Sequence, residues 1–211
     1  MTVSREEGAG WNTTLQVRRA VNGDRDSLGA VVTRLSPVLT AVAEYRLGKA
    51  LRAVVEPADL VNEAWLIALP KLGVLEPRDG RITPVLLRFL TTTINHRINS
   101  YLRRQITRSA GTANVMVADA VDPTANGVVT RAVRNETQAI VRSCLDELRS
   151  GDREIVLLRG IEQNASRTVA TLLGLSVAAV DQRYSRALKR LRRVLPDSVF
   201  AELDPEASDS R

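Results

Sequence analysis

The sequence predicts an all-α protein: two small helical domains joined by a flexible linker, the C-terminal one a helix-turn-helix. Apolar residues recur at helical spacing through most of the chain. A stretch near the middle instead turns small and apolar-light, with Pro123 and Gly127 as punctuation. Finally, Arg153 to Leu195 reads as a short helix, a Gly-Leu-Ser turn and a longer basic helix.

Composition sets the outer limits. A chain of 211 residues holds one large domain or two small ones. Its 44% hydrophobic content can build cores, and 3% aromatic makes those cores aliphatic. The formal net charge of +6 favours a polyanionic partner, without separating DNA from RNA or an anionic membrane. One cysteine and one histidine provide neither a disulfide framework nor a Cys/His zinc site. Cys144 shares an apolar stripe with Ile140, Val141 and Leu148, which suits a small buried hydrophobe. There is no apolar run of transmembrane length, secretory core, phosphate loop, nucleophile elbow or metalloprotease motif. The expectation is a soluble, cytoplasmic, non-enzymatic protein without membrane insertion, metal, cofactor or catalytic residues.

In order, Leu15, Val17, Ala20 and Val21 suggest a first helix, interrupted at Asn22-Gly23-Asp24. Asp24 or Asp26 can cap a second, carrying Leu28, Val31, Val32, Leu35, Leu39 and Val42, which Pro37 kinks or divides. Glu56-Pro57-Ala58-Asp59 is a helix start, because proline fits the first turn and acids favour the positive end of the dipole. In that helix Leu60, Ala64, Ile67 and Ala68 are expected inward, with Asp59, Asn62, Glu63 and Leu66 outward. The acidic patch suits solubility, or docking to a basic partner. Leu72 to Thr83 reads as a loop.

Pro84 to Gln105 reads as a long helix that buries Leu87, Leu90, Ile94, Ile98 and Tyr101. Thr92, His96, Asn99, Ser100 and Arg103 lie roughly opposite, with Asn95 and Arg104 at the edges. No acidic residue occurs from Gly80 to Ala118, although the span carries several arginines. Removing carboxylates strengthens attraction to phosphate, and amide and hydroxyl side chains can hold exposed bases. Thr107 to Arg131 reads as the linker, and Ala132 to Arg149 as the next helix. Asp152 can cap the helix after it.

Asn164 to Leu173 is a short amphipathic run on which Val169, Leu172 and Leu173 can share a face. Gly174 ends it, Leu175 packs the turn and Ser176 offers an N-cap oxygen. The longer helix has an apolar seam of Val177, Val180, Tyr184, Ala187, Leu188, Leu191 and Val194. Ala178, Gln182, Ser185, Arg186, Lys189 and Arg193 form its other face, flanked by Arg183 and Arg190. A lone basic helix is ordinary solvated surface. Preceded by a short helix and a Gly-Leu-Ser turn, it fits a recognition helix, with early positions near base edges and later cations on phosphates.

These stretches together resemble one family. PADLVNEAWLIALPKL resembles the D-L-V-Q-E-x-F-x-x-A-W core-binding helix of bacterial sigma factors. FLTTTINHRINSYLRRQ resembles their F-L-x-x-I-A-R-N-x-x-I-D-x-L-R-R promoter-melting helix. LRSGDREIVLLRGIEQNASRTVATLLGLSVAAVDQRYSRALKRLRRVL resembles their region for the −35 element. The order and short length are similar to the extracytoplasmic-function (group four) class. The resemblance implies a second-domain-like unit at 11–106, a linker at 107–131, a fourth-domain-like helix-turn-helix at 132–196 and an acidic tail at 197–211.

It further implies a transcription initiation factor that binds core RNA polymerase at the clamp helices of its largest subunit, through Asp59, Asn62 and Glu63. Asn95, His96, Asn99, Arg103 and Arg104 would hold the −10 element, with the 76–83 loop as a flipped-base pocket. Ser176, Gln182, Arg183, Arg186 and Lys189 would meet −35 promoter DNA. Asp119 and Asp122 in the linker would mimic RNA charge, and an anti-sigma factor is a candidate partner. There are departures. His96 stands where the family often has asparagine, and Ser100 where it often has aspartate. Asp181 replaces a frequent lysine and should repel phosphate. Ala165 replaces a serine cap, leaving Asn164 or Ser166 to cap. Asn62 replaces glutamine. The alternative is a stand-alone helix-turn-helix DNA-binding transcriptional regulator.

Overall fold

The computed structural model describes residues 13–78, 80–109 and 128–192. Every regular element among them is helical. In the N-terminal unit these are α1 (Thr13–Val21), α2 (Arg25–Arg46), α3 (Lys49–Arg52), α4 (Pro57–Ala68) and α5 (Thr83–Ser109). The C-terminal unit holds α6 (Val128–Asp146), α7 (Ser150–Ile155), α8 (Ser166–Leu173) and α9 (Val177–Leu191). The sequence-predicted linker therefore overlaps helix at both ends, through Ser109 and from Val128. Asp119, Asp122, Val194 and the acidic tail lie outside the described residues.

The caps follow local chemistry. Asp24 accepts from the Asp26 and Ser27 amides at the start of α2, and Gly23 turns the chain with φ +93°. These hydrogen bonds to the ionised carboxylate hold its pKa below the ordinary value, the Ser27 hydroxyl contributing most. Pro37 neither divides nor ends α2, which runs through it as one element. Pro57 occupies the first turn of α4 behind Glu56.

One aliphatic core forms the N-terminal unit around Leu39, Leu47, Leu60, Ile82, Leu86, Leu90 and Ile94. Trp65 is buried in it, and its Nε1–H donates to Ser36 Oγ at 3.1 Å, fixing α4 to α2. Two expectations for α4 need correction. Ile67 is not inward but 36% exposed, and Val61 and Trp65 are buried beside Leu60, Ala64 and Ala68. The interior takes the Leu60–Val61 and Ala64–Trp65 pairs, rotating Ile67 away. Leu72 to Thr83 is not loop throughout, because Leu69–Val74 forms a 3-10 helix whose Leu72 is buried. A tight bridge pairing Arg78 with Arg81 follows, with Gly80 at φ +72°.

The second core joins Val141, Cys144, Leu145 and Leu148 to Ile155, Leu157, Val169, Val180, Tyr184 and Leu191. Cys144 is buried as expected, and burial pushes its thiol pKa up. Between α7 and α8 the chain widens into a π-helical stretch, Val156–Ile161. The Glu162 amide accordingly bonds back to the Leu157 carbonyl, five residues earlier.

Residues 35–43 of α2 are buried without a break. Leu35, Leu39 and Ala43 belong to the first core, whereas Val38, Ala41 and Val42 belong to the second. A helix apolar all round must be covered all round, and each unit covers one side.

Candidate nucleic-acid interface

α8 and α9 form the helix-turn-helix. Gly174 ends α8 in the left-handed region at φ +64°, where a side chain would be strained. Ser176 caps α9, its Oγ accepting from the Ala179 amide at 3.1 Å. Val180, Tyr184, Ala187, Leu188 and Leu191 point inward, and Leu175 packs against the core. Val177 and Leu172 do not join that packing: they are 41% and 62% exposed, flanking the turn. Ala170 instead accompanies Val169 inward.

Ser176, Gln182, Arg186 and Lys189 are all exposed on α9. Arg183 turns aside: its Nε donates to Asp152 Oδ1 of α7 at 2.6 Å, and both side chains are only partly exposed. Asp152 is therefore not a helix cap. The N-cap of α7 is Arg149, and Asp152 sits in the first turn as the partner of Arg183.

Asp181 is likewise engaged. Its Oδ1 accepts from Arg159 Nη1 at 2.5 Å and from Ser166 Oγ at 2.8 Å. The Arg159 guanidinium also stacks 4.5 Å from the Tyr184 ring centroid. Asp181 thus braces α9 against the π-helical stretch and the start of α8, its charge matched by Arg159. Neither expected residue caps α8: Ser166 Oγ is spent on Asp181, and Asn164 Nδ2 donates to the Leu158 carbonyl. No signal in the sequence joined Arg159 to Asp181, because the pair forms only once the π-helical stretch is built.

On α5, His96, Asn99, Arg103 and Arg104 are exposed and Asn95 is half-buried. They share the side away from Leu90, Ile94 and Ile98. Arg104 lies 5.8 Å from the Tyr101 ring centroid, so its stem is steered along α5. At the other end of this surface, Arg18 Nη2 donates to the Gly80 carbonyl at 2.8 Å, tying α1 to the 76–83 segment.

The three residues expected to dock polymerase divide. Asp59 is exposed and Asn62 half-buried. Glu63 faces α5: its Oε2 accepts from Arg97 Nε at 2.5 Å, and its Oε1 lies 3.4 Å from the Tyr101 hydroxyl. Glu63 raises the Arg97 pKa, chiefly through that hydrogen bond. For Tyr101 burial comes first and the Glu63 charge second, and both raise the pKa. Leu66, Ile67 and Leu69 stand exposed next to Asp59 and Asn62, so the outer surface of α4 is apolar with an acidic edge.

No cluster of metal-binding side chains occurs among the described residues. No helix among them is long and apolar enough to cross a membrane.

An α8–turn–α9 unit with a polar, cationic outer face defines a helix-turn-helix module, and comparison places it more closely. Residues 138–191 match Sigma-70, region 4. The chain is 29% identical over 180 residues to the probable RNA polymerase sigma factor RfaY of Xanthomonas campestris pv. campestris, covering 85% of this chain and 43% of RfaY. It is 27% identical over 184 residues to the ECF RNA polymerase sigma factor BldN of Streptomyces coelicolor, covering 86% of this chain and 65% of BldN. With the ECF RNA polymerase sigma factor SigD of Mycobacterium tuberculosis it shares 25% identity over 179 residues, 83% of this chain and 80% of SigD. Over most of its length the chain is similar to sigma factors of the extracytoplasmic-function class. It spans less than half of RfaY and about two thirds of BldN.

Proposed function

We propose that this chain is a cytoplasmic transcription initiation factor with no catalytic centre of its own. It binds core RNA polymerase, directs it to specific promoters and helps open the −10 element. The observation that supports this most is the exposed row of Gln182, Arg186 and Lys189 beyond the left-handed Gly174 turn, within the stretch that matches Sigma-70, region 4.

The residues divide the work. α9 enters the −35 major groove, Gln182 near base edges and Arg186 and Lys189 on guanine or phosphate. Ser176 keeps its cap, and its hydroxyl proton remains available to a phosphate oxygen. Arg183, paired with Asp152, orients α9 before it reaches DNA. Asn95, His96, Asn99, Arg103 and Arg104 hold the −10 strand after its bases leave the duplex. Extrusion costs a few kcal/mol, which a binding surface must offset. Asp59 and Asn62, with the apolar surface around Leu66, dock on the clamp helices of the largest polymerase subunit. Glu63 sets the angle between that helix and α5.

The test is capture of purified core polymerase by the tagged chain, run beside binding to a promoter duplex alone. Polymerase capture supports an initiation factor. Duplex binding without capture would instead identify a stand-alone regulator.

A further inference from the structure

The face that α9 turns to solvent is a narrow strip of restricted chemistry. Ala178, Gln182, Ser185, Arg186 and Lys189 are exposed on it. Ala178, Gln182, Ser185 and Lys189 follow at alternating steps of four and three residues, so they form one line along the helix. The two chain neighbours of Gln182 are each pinned to another element. Asp181 accepts from Arg159 and Ser166, and Arg183 donates to Asp152. Pinning on both sides fixes the rotation of α9 about its own axis. It also takes from the strip the one carboxylate of α9 and its first arginine.

What remains matches some bases and not others. In the major groove cytosine offers an amino donor that a carboxylate accepts, and guanine two acceptors that arginine or lysine takes. Adenine offers one acceptor and one donor, which a glutamine amide matches with one bond each, and thymine a 5-methyl group that suits alanine. In its first half the α9 strip presents neither a free carboxylate nor a free cation. It presents a methyl group at Ala178 and an amide at Gln182, about 6 Å apart along the helix axis. Base pairs rise about 3.4 Å each, so these two side chains reach pairs within about two steps of one another. Val177, exposed beside Ala178, keeps that end of the helix apolar.

We propose that Ala178 and Gln182 make the start of α9 specific for A·T pairs. The Gln182 amide bonds adenine at N6 and N7, and the Ala178 methyl packs on a thymine 5-methyl group within about two base pairs of it. The inference rests on the initiation-factor reading and deepens it, because it assigns the base chemistry of the duplex that α9 enters. Arg186, whose Nε lies 3.4 Å from the Gln182 carbonyl, and Lys189 follow toward the C-terminal end, where they bring charge to guanine or phosphate. Asp181 takes no part in base readout, since Arg159 and Ser166 hold it.

The test selects binding sites for the full-length chain, alone and with core polymerase, from a library randomised over the upstream element. Selection should return A·T pairs at two positions within about two steps. In the selected duplex, uracil in place of the thymine removes only the methyl group and should weaken wild-type binding about fourfold. Replacing the adenine by 7-deazaadenine removes N7 and should weaken it about tenfold. Ala178→Gly should erase the uracil penalty and keep the other, and Gln182→Ala should do the reverse. A merely structural role would lower binding to every duplex and leave both penalties in place. Gln182→Glu should shift the selected adenine to cytosine. G·C pairs at both positions, or either penalty surviving in its own variant, would overturn the proposal. A chain that binds no polymerase sinks the initiation-factor reading, while selection by the chain alone still judges these contacts. No selected sequence under either condition overturns both.

Discussion

Arg183 and Asp152 form an ion pair from α9 to α7, with Nε and Oδ1 2.6 Å apart. Gly151 lies close beside it: a Cβ there would sit 2.6 Å from Arg183 Nη2, the movable end of that side chain. The most basic-looking flank of the recognition helix is therefore partly committed to the fold. On the proposed function, this separates residues placed to contact DNA from residues that aim the helix.

Arg186→Ala should weaken binding to a −35 duplex by about 1–3 kcal/mol and leave thermal stability close to wild type. Arg183→Ala should do the opposite, with the larger effect on stability, about 1 kcal/mol for a partly exposed pair. Duplex titration beside urea unfolding of each variant checks the division. Equal losses of affinity with no loss of stability would return Arg183 to the DNA-contact set.

Asp181→Ala should not raise DNA affinity, as removal of a repulsive charge would. It should lower the stability of the C-terminal unit by about 1 kcal/mol, because Arg159 and Ser166 lose their shared acceptor. An affinity gain at unchanged stability would show that Asp181 acts as a free charge.

Much of this architecture was legible in the sequence, for identifiable reasons. The Gly174 turn, the Ser176 cap, the Asp24 cap and the α5 seam are local, set by residue types within a few positions of one another. What was missed depends on partners distant in the chain. Glu63 reads as surface on a helical wheel, and only the crossing of α4 over α5 gives it Arg97. Asp152 and Asp181 read as a cap and a liability until α7 and the π-helical stretch bring Arg183 and Arg159 to them. Ile67 was misplaced because the interior takes the Leu60–Val61 and Ala64–Trp65 pairs instead, and Leu72 because α4 tightens into a 3-10 turn where the composition suggested a loop. The contact between α2 and the C-terminal unit had one signal, the uncharged run at residues 35–43 of α2, which periodicity alone could not assign to two partners.

Glu63→Lys should abolish polymerase capture and lower stability by about 1 kcal/mol, since it sets a second cation against Arg97. Glu63→Gln keeps a hydrogen-bond acceptor for Arg97 and should retain most of the stability. A labelled-chain binding assay on both variants separates docking from support. Full affinity in Glu63→Lys would show that docking does not depend on the angle Glu63 sets between α4 and α5.

Asp24 gives a pH signature. Its carboxylate is held below 3.8 in the folded chain by the Ser27 hydroxyl and the capped amides. A depressed folded pKa contributes stability that is present above the unfolded value and lost as pH falls through the folded one. Asp24→Asn should therefore melt below the wild type at neutral pH, and the gap should narrow as pH drops beneath about 4. Melting curves across that range decide it, and a gap independent of pH would show that the charge plays no part.

The central claim is that this chain converts core polymerase into a promoter-specific enzyme, and reconstituted run-off transcription tests it most directly. Core polymerase with the wild-type chain should give discrete start sites on a promoter library that core alone does not use, and Arg186→Ala should reduce them. Polymerase capture without any factor-dependent transcript, or an identical transcript set with core alone, would contradict the account.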